Sequence, residues 1–261
     1  MKVREVLERY KKGGIDAKEA ERILKLDFLE RIGNHTVFDH AREARRGIPE
    51  IILGNTKAPE DVVDIVRHVL EDRELVIVSR ASPLHYKAIR KGIGAKGVKW
   101  VEKACMVVVD RRIKVKETGR IGILTAGTSD ISVAEEAKVV AEAMGCEVIT
   151  AFDVGIAAFH RFMDPLACML EKECDALIVV AGMEGALPSV ISSLADVPVI
   201  GVPTSVGYGM GGEGAAALLS MLQTCSPGLV VVNIDDGVGA GATAALISRR
   251  CRATKKDGRR T

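Results

Sequence analysis

The sequence predicts an α/β protein whose C-terminal half is a flavodoxin-like, three-layer domain with a parallel sheet, preceded by a smaller, helix-rich N-terminal α/β domain. Three observations carry this. From residue 121 onward, apolar runs at 121–125, 147–152, 176–181, 198–202 and 229–233 are each followed by a turn and a helical pattern of about ten to sixteen residues. The runs are continuous instead of alternating, as in Leu177-Ile-Val-Val-Ala181 and Leu229-Val-Val-Val232, which suits strands buried on both faces of a parallel sheet. Finally, 261 residues with 48% hydrophobic and 28% charged side chains are enough for one large domain or two modest ones, and exclude general disorder.

Residues 1 to about 70 read as helical, interrupted at Gly13-Gly14, Gly33-Asn34 and Gly47-Ile-Pro49, with no strand alternation. Between 74 and 115 the runs Leu75–Val78 and Cys105–Val109 read as short strands, and the Lys/Gly-rich segment between them has room for a helix. The polar stretch Val115–Arg120, with Gly119, marks a boundary, so the expected units are 1–117, 118–249 and a basic, disordered tail 250–261. Consecutive βα units with right-handed crossovers then place helices on both faces of the second sheet, in a flavodoxin-like or Rossmann-like arrangement.

Charge narrows the function classes. Lys plus Arg number 37 against 35 Asp plus Glu, but seven of the cations lie in Arg249–Thr261 with only Asp257 opposing them. The body is therefore acidic, and no nucleic-acid partner is expected of it. No apolar run approaches the ~18 residues that span a bilayer, and the start is a charged amphipathic helix pattern, so no membrane association and a cytoplasmic location are expected. The six cysteines form no C-x-x-C pair, which indicates reduced thiols.

In such a sheet ligands bind beyond the carboxyl ends of the strands, where helix starts offer free N–H groups. Those loops read Ala126-Gly-Thr-Ser-Asp130, Asp153-Val-Gly155, Gly182-Met-Glu-Gly-Ala-Leu-Pro188, Pro203-Thr-Ser-Val-Gly207 and Asn233-Ile-Asp-Asp-Gly237. Gly127-Thr-Ser-Asp130 either caps a helix or also holds a phosphate. No P-loop motif occurs, and the glycines of 207–214 lack the strand-to-helix context of a dinucleotide fingerprint. His160-Arg161 pairs a proton carrier with an anion clamp, or is a structural His beside a solvated Arg. Glu184 ends an apolar strand, where desolvation suits a carboxylate to base work; the alternative is an exposed loop residue. Cys225, before Ser226-Pro-Gly228, sits in a helix-to-strand turn at the amino edge of the sheet, opposite the loops. As a nucleophile it most simply serves a neighbouring subunit; otherwise it is a small hydrophobe. The cluster His40-Ala-Arg-Glu-Ala-Arg-Arg-Gly-Ile-Pro-Glu50 either binds a phosphate or ends a charged helix.

Ala126-Gly-Thr-Ser-Asp130, His160-Arg161, Gly182–Pro188 and Leu219-Ser-Met-Leu-Gln223 resemble aminoimidazole ribonucleotide carboxylase, a flavodoxin-like purine enzyme that moves carbon dioxide. Two positions depart from it: Ala186 stands where that family has a second His, and Glu184 replaces a small residue. The departures match another family. Arg46-Gly-Ile-Pro-Glu50, Gly127–Asp130, Ala181–Ser189, Val202–Tyr208, Cys225-Ser-Pro-Gly228 and Val232-Asn-Ile-Asp235 are similar to the LarB family of pyridinium-3,5-biscarboxylic acid mononucleotide synthases, which open the nickel-pincer cofactor pathway of lactate racemase.

The resemblance implies carboxylation of the pyridinium ring of nicotinic acid adenine dinucleotide by carbon dioxide or bicarbonate, and phosphoanhydride cleavage with release of AMP. Cys225 is implied as the thiolate that adds to the ring, Glu184 as the catalytic carboxylate and His160 as second. Gly127, Thr128, Ser129, Asp130, Asp153, Arg161, Met183, Gly185, Ala186, Leu187, Thr204 and Ser205 are implied in nucleotide binding, with Arg45, Arg46 and Lys57 toward the pyrophosphate. Mg²⁺ is the implied cofactor, with Asp130, Asp153 and Asp235 as its candidate ligands, and a homo-oligomer with shared sites the implied assembly. The alternatives are a purine-pathway carboxylase or mutase, and a non-catalytic nucleotide-binding regulatory protein.

Overall fold

The computed structural model describes residues 3–26, 29–32, 36–39, 47–115 and 117–257. Two helices open the chain, α1 (Val3–Lys11) and α2 (Ala17–Leu26), followed by β1 (Leu29–Ile32) and β2 (Thr36–Asp39), which pair antiparallel with Leu29 opposite Asp39. The sheet of the N-terminal half comes next: β3 (Glu50–Leu53), α3 (Pro59–Asp72), β4 (Leu75–Ser79), α4 (Pro83–Ile93), β5 (Val98–Val101) and β6 (Met106–Asp110). Its order is β3-β4-β6-β5, with β3 parallel to β4 and the other pairs antiparallel. Proline at the first turns of α3 and α4 needs no N–H partner there, and Ser82 caps α4 in a reciprocal box with His85.

This corrects the all-helical expectation for residues 1–70, which contain β1, β2 and β3, and adds β5 to the two strands expected between 74 and 115. Each of these strands has four residues, too short to show a period of its own. What makes β3 a strand is the neighbour it pairs with, the wholly buried β4.

The C-terminal half is a repeated βα succession: β7 (Gly119–Thr125), α5 (Ile131–Ala143), β8 (Cys146–Ala151), α6 (His160–Glu171), β9 (Ala176–Ala181), α7 (Leu187–Leu194), β10 (Val199–Pro203), α8 (Ala215–Leu222), β11 (Leu229–Val231) and α9 (Gly237–Asp257). The five strands are all parallel in the order β11-β10-β9-β7-β8, the flavodoxin-like arrangement. One face is covered by α5 and α9, around Ile121, Ile178, Ile200, Ala137 and Ala244. The other is covered by α6, α7 and α8, around Phe162, Met169, Leu187, Ile191 and Met221. Close packing of α9 on α5 requires glycine: a Cβ on Gly241 would stand 2.4 Å from the Ala137 carbonyl oxygen.

The tail differs from expectation, because α9 continues through residues 250–257. Ser248 Oγ donates to Asp175 Oδ2 at 2.7 Å and Arg252 Nε lies 3.5 Å from the same oxygen, so two side chains one helical turn apart anchor the helix past Arg249. Residues 258–261 lie outside the described residues.

The two sheets share a core. The N-terminal sheet buries one face under α3 and α4. Its other face, through Leu75, Ile77 and Met106, packs on Val139, Val140 and Ala143 of α5 and Ala242 of α9. At the lower end of this interface Arg112 donates to the Ala143 carbonyl at 2.8 Å and Arg249 to the Gly47 carbonyl at 3.2 Å. The starts of β3 and β4 therefore lie near the ends of α5 and α9, and their carboxyl ends rise toward the rim where α9 begins. No helix among the described residues is long and apolar enough to cross a membrane.

Candidate active site

The order β9-β7-β8 makes β7 and β9 the point where the chain leaves a parallel sheet in opposite directions, opening a crevice at their carboxyl ends. Thr125 ends β7, and a single 3-10 turn, Thr128–Asp130, leads into α5. Asp130 points inward and is 3% exposed. Its Oδ2 accepts from the Gly127 N–H at 2.9 Å and its Oδ1 from the Thr204 hydroxyl at 2.7 Å. Burial raises its pKa, and the hydrogen bonds from Thr204, Gly127 and Gly182 partly offset that. Asp130 thus ties together the loops after β7, β9 and β10, leaving Thr128 and Ser129 exposed on the rim.

The neighbouring loops are set by backbone contacts that only small residues permit. A Cβ on Gly182 would meet the Val206 carbonyl oxygen at 2.3 Å, and one on Gly185 would meet Ala217 at 2.7 Å. Met183 donates its N–H to the Val206 carbonyl at 2.8 Å, Thr204 its N–H to Ala181 at 3.1 Å, and Ser205 its N–H to Asp235 Oδ1 at 2.9 Å. Ala186 is half-buried and Leu187 buried. Asp153 donates its N–H to Thr125 Oγ1 at 3.1 Å and pairs with Arg161 at 3.2 Å, both side chains 50% exposed. Asp153, Met183, Glu213 and Asp235 all hold positive φ, at 58°, 53°, 57° and 55°. Four non-glycine residues in the left-handed region at one edge concentrate backbone strain at a rim suited to binding.

The structure therefore gathers Ser129, Asp130, Asp153, Arg161, Glu184, Thr204 and Ser205 at one edge, with His160 at the exposed start of α6. Glu184 is exposed, so this chain does not supply the desolvation expected around it. Cys225 is not brought in. It is exposed in the turn before β11, whose first residue Leu229 pairs with Val199 at the start of β10, so the thiol lies at the opposite edge of the sheet.

Lys57 lies after the carboxyl end of β3, its Nζ donating to the Leu53 carbonyl at 3.2 Å and its own carbonyl 3.1 Å from His85 Nε2. Arg45 and Arg46 lie outside the described residues. Gly47, which follows them, takes its hydrogen bond from Arg249, well down α9 from the rim.

Asp130, Asp153 and Asp235, each of which accepts a hydrogen bond or ion pair from a neighbour, do not form a metal-holding group of three among the described residues. Among the described residues no cluster of three or more His, Cys, Asp or Glu side chains could hold a metal ion. A cleft of about 1160 Å³ opens elsewhere, at the amino edge, lined by Lys114, Arg120, Glu147 and Arg252 among others. Two of its cations are already engaged, Arg120 with Glu147 at 2.7 Å and Arg252 with Asp175 at 3.5 Å.

Two residues of the rim escaped sequence reasoning. Glu136 on α5 is pushed up to about 7 by burial and by Asp235 and Asp236, against the pull of Arg80. In the sequence it reads as one of two solvated glutamates, Glu135-Glu136; in the fold the start of α9 packs closely on it, and a Cβ on Gly237 would stand 2.9 Å from Glu136 Cβ. Arg80, at the end of β4, sits in a half of the chain where no motif pointed to it.

Comparison with known proteins agrees with this arrangement. Residues 120–259 match the AIR carboxylase family, and residues 29–111 the LarB/PurE-like N-terminal domain. The chain is 43% identical over 251 residues to an uncharacterized protein of Methanocaldococcus jannaschii, covering 95% of this chain and 97% of that one. It is 31% identical over 138 residues to the N5-carboxyaminoimidazole ribonucleotide mutase of the same organism, covering 52% of this chain and 81% of the mutase. With the corresponding mutase of Thermotoga maritima it shares 30% identity over 135 residues, covering 49% and 74%. A LarB-type N-terminal domain packed on an AIR carboxylase-type, flavodoxin-like sheet places the chain in the LarB family, with a carboxylase-type function.

Proposed function

We propose that this protein carboxylates the pyridinium ring of nicotinic acid adenine dinucleotide with carbon dioxide or bicarbonate and cleaves the phosphoanhydride, releasing AMP and pyridinium-3,5-biscarboxylic acid mononucleotide. The observation that carries the reading is the union of a LarB-type N-terminal domain with an AIR carboxylase-type sheet in which Ala186 and Glu184 stand where the purine carboxylases have a His and a small residue.

The chemistry accounts for the residues. A pyridinium carbon is electrophilic and does not attack carbon dioxide. Addition of the Cys225 thiolate turns the ring into a neutral dienamine with a nucleophilic carbon. After that carbon bonds carbon dioxide, a base takes the ring proton, the electron pair restores aromaticity, and the thiolate leaves. Glu184 is the base in this reading, with His160 second. Thr128, Ser129 and Arg161 hold the nucleotide, and Lys57 faces the pyrophosphate. Mg²⁺ bound to the substrate's phosphates would supply the charge neutralisation that phosphoanhydride cleavage needs, with the rim residues holding the nucleotide around it. The position of Cys225 at the edge opposite Glu184 supports a homo-oligomer in which one copy's turn completes its neighbour's rim.

The test is mass spectrometry of products from nicotinic acid adenine dinucleotide, Mg²⁺ and ¹³C-bicarbonate, with Cys225→Ala in parallel. Labelled dicarboxylated mononucleotide plus AMP from the wild type alone supports both reaction and nucleophile. Label from both proteins removes the thiol step. No label from either returns the purine-pathway reading, since aminoimidazole ribonucleotide is already nucleophilic and needs no thiol.

A further inference from the structure

β4 is buried along its whole length and ends at Ser79; the next residue, Arg80, is exposed and holds a φ of 48°. Arginine is a poor choice for a left-handed position, which glycine or asparagine occupies at lower cost. The conformation is imposed from both sides. Gly54 donates to the Ser79 carbonyl at 2.8 Å and Ala81 to the Cys105 carbonyl at 2.7 Å, so the peptides flanking Arg80 are fixed by β3 and by the turn before β6.

That fixed point faces the rim of the other sheet. Ile51 and Ile77, from β3 and β4, pack with Val140 of α5 and Val238 of α9, which holds the carboxyl end of β4 beside the start of α9. The Arg80 charge acts there on Glu136, as do those of Asp235 and Asp236. Among the described residues it forms no ion pair with any of them. On the adjacent parallel strand, Leu53 is opposite Ser79, so the Gly54–Lys57 turn leaves the sheet at the same edge. Asp235 in turn holds the Ser205 N–H, next to the Thr204 that binds Asp130. An exposed guanidinium on a left-handed residue beside the crevice, which favours the ionised Glu136 but forms no ion pair with it among the described residues, is free to meet a ligand.

We propose that Arg80 is an anion-binding residue delivered by the N-terminal sheet to the rim of the carboxyl-terminal sheet, where its guanidinium takes a phosphate of the nucleotide substrate. The inference rests on the proposed function for the ligand being a nucleotide, and not for which nucleotide it is.

The experiment titrates nicotinic acid adenine dinucleotide, aminoimidazole ribonucleotide and the phosphate-free nucleoside of nicotinic acid into the full-length wild type, Arg80→Asn, Arg80→Gly and Arg80→Lys, with a thermal melt of each. The Asn and Gly variants relieve the backbone but also remove a charge that favours ionised Glu136, so they should melt close to the wild type, yet bind the preferred nucleotide about tenfold or more weakly. Arg80→Lys should recover part of that loss, and the nucleoside should bind all four proteins alike. Binding by Arg80→Asn within about twofold of wild type, or an equal loss for the nucleoside, overturns the inference. Preference of the wild type for aminoimidazole ribonucleotide overturns the proposed function alone, and Arg80 is then judged on that ligand. Binding of neither nucleotide by the wild type overturns both.

Discussion

The Thr204 hydroxyl donates to the Asp130 carboxylate at 2.7 Å, joining residues 74 positions apart at the bottom of the crevice. Both are buried, and Asp130 is a carboxylate whose burial alone disfavours its charge. Replacing Thr204 with Val keeps the shape and removes the donor. The folded state should lose about 1–3 kcal/mol in chemical denaturation, whereas Thr204→Ser, which keeps the hydroxyl, should lose less. Equal losses for the two variants would show that packing, not the hydrogen bond, sets the cost.

Glu136 gives a pH dependence with a definite sign. Its ordinary value of 4.5 is pushed up to about 7 in the folded chain. Below the ordinary value both folded and unfolded chains carry the proton, and the raised pKa costs nothing. As pH rises toward 7, the unfolded chain releases the proton first, so the folded chain loses relative stability. Glu136→Gln should therefore stabilise by about 1–3 kcal/mol at about pH 8 and by little at about pH 4. Melting curves across that range check it; a gain that is independent of pH would assign the effect to packing.

Arg161 and Asp153 pair at 3.2 Å with half of each side chain in solvent, so their mutual attraction contributes under about 1 kcal/mol to folding. Arg161→Ala should leave the melting temperature nearly unchanged while weakening nucleotide binding about tenfold, read by titration calorimetry. Unchanged affinity would remove Arg161 from the binding set.

Cys225 and Glu184 lie at opposite edges of one sheet, and the proposed reaction needs them in one site. Cys225→Ala and Glu184→Gln, each inactive alone and each folded because both side chains are exposed, should regain product formation when mixed and allowed to exchange subunits. Persistent inactivity of an exchanged mixture, or a fully active monomer at micromolar concentration, would rule out a shared site.

Much of the C-terminal half was legible because its signals are local. Continuous apolar runs such as Leu177–Ala181 mark doubly buried strands, and the glycine-rich loops that follow them mark the carboxyl edge. The position of Cys225 at the amino edge followed from the order of elements alone, since a turn entering a parallel strand lies at that edge. The N-terminal half was harder to read. β3 and β5 have four residues each and are strands because β4 and β6 offer them hydrogen bonds, which no window of the sequence contains. The basic tail carried the composition of a disordered end, yet its first residues extend α9, because Ser248 and Arg252 both reach Asp175.

By itself the sequence determined the succession of five βα units, the loops at the carboxyl edge of their sheet, and the family, since all three are written in neighbouring residues. The tertiary structure alone decided which loops meet. The sheet order brings Thr204 onto Asp130, the shared core sets the end of β4 near the start of α9, and α9 packs closely on Glu136 at Gly237. Those juxtapositions depend on strand order and on the contact between two sheets. Both are fixed when distant apolar surfaces are buried together, and neither leaves a periodic trace along the chain.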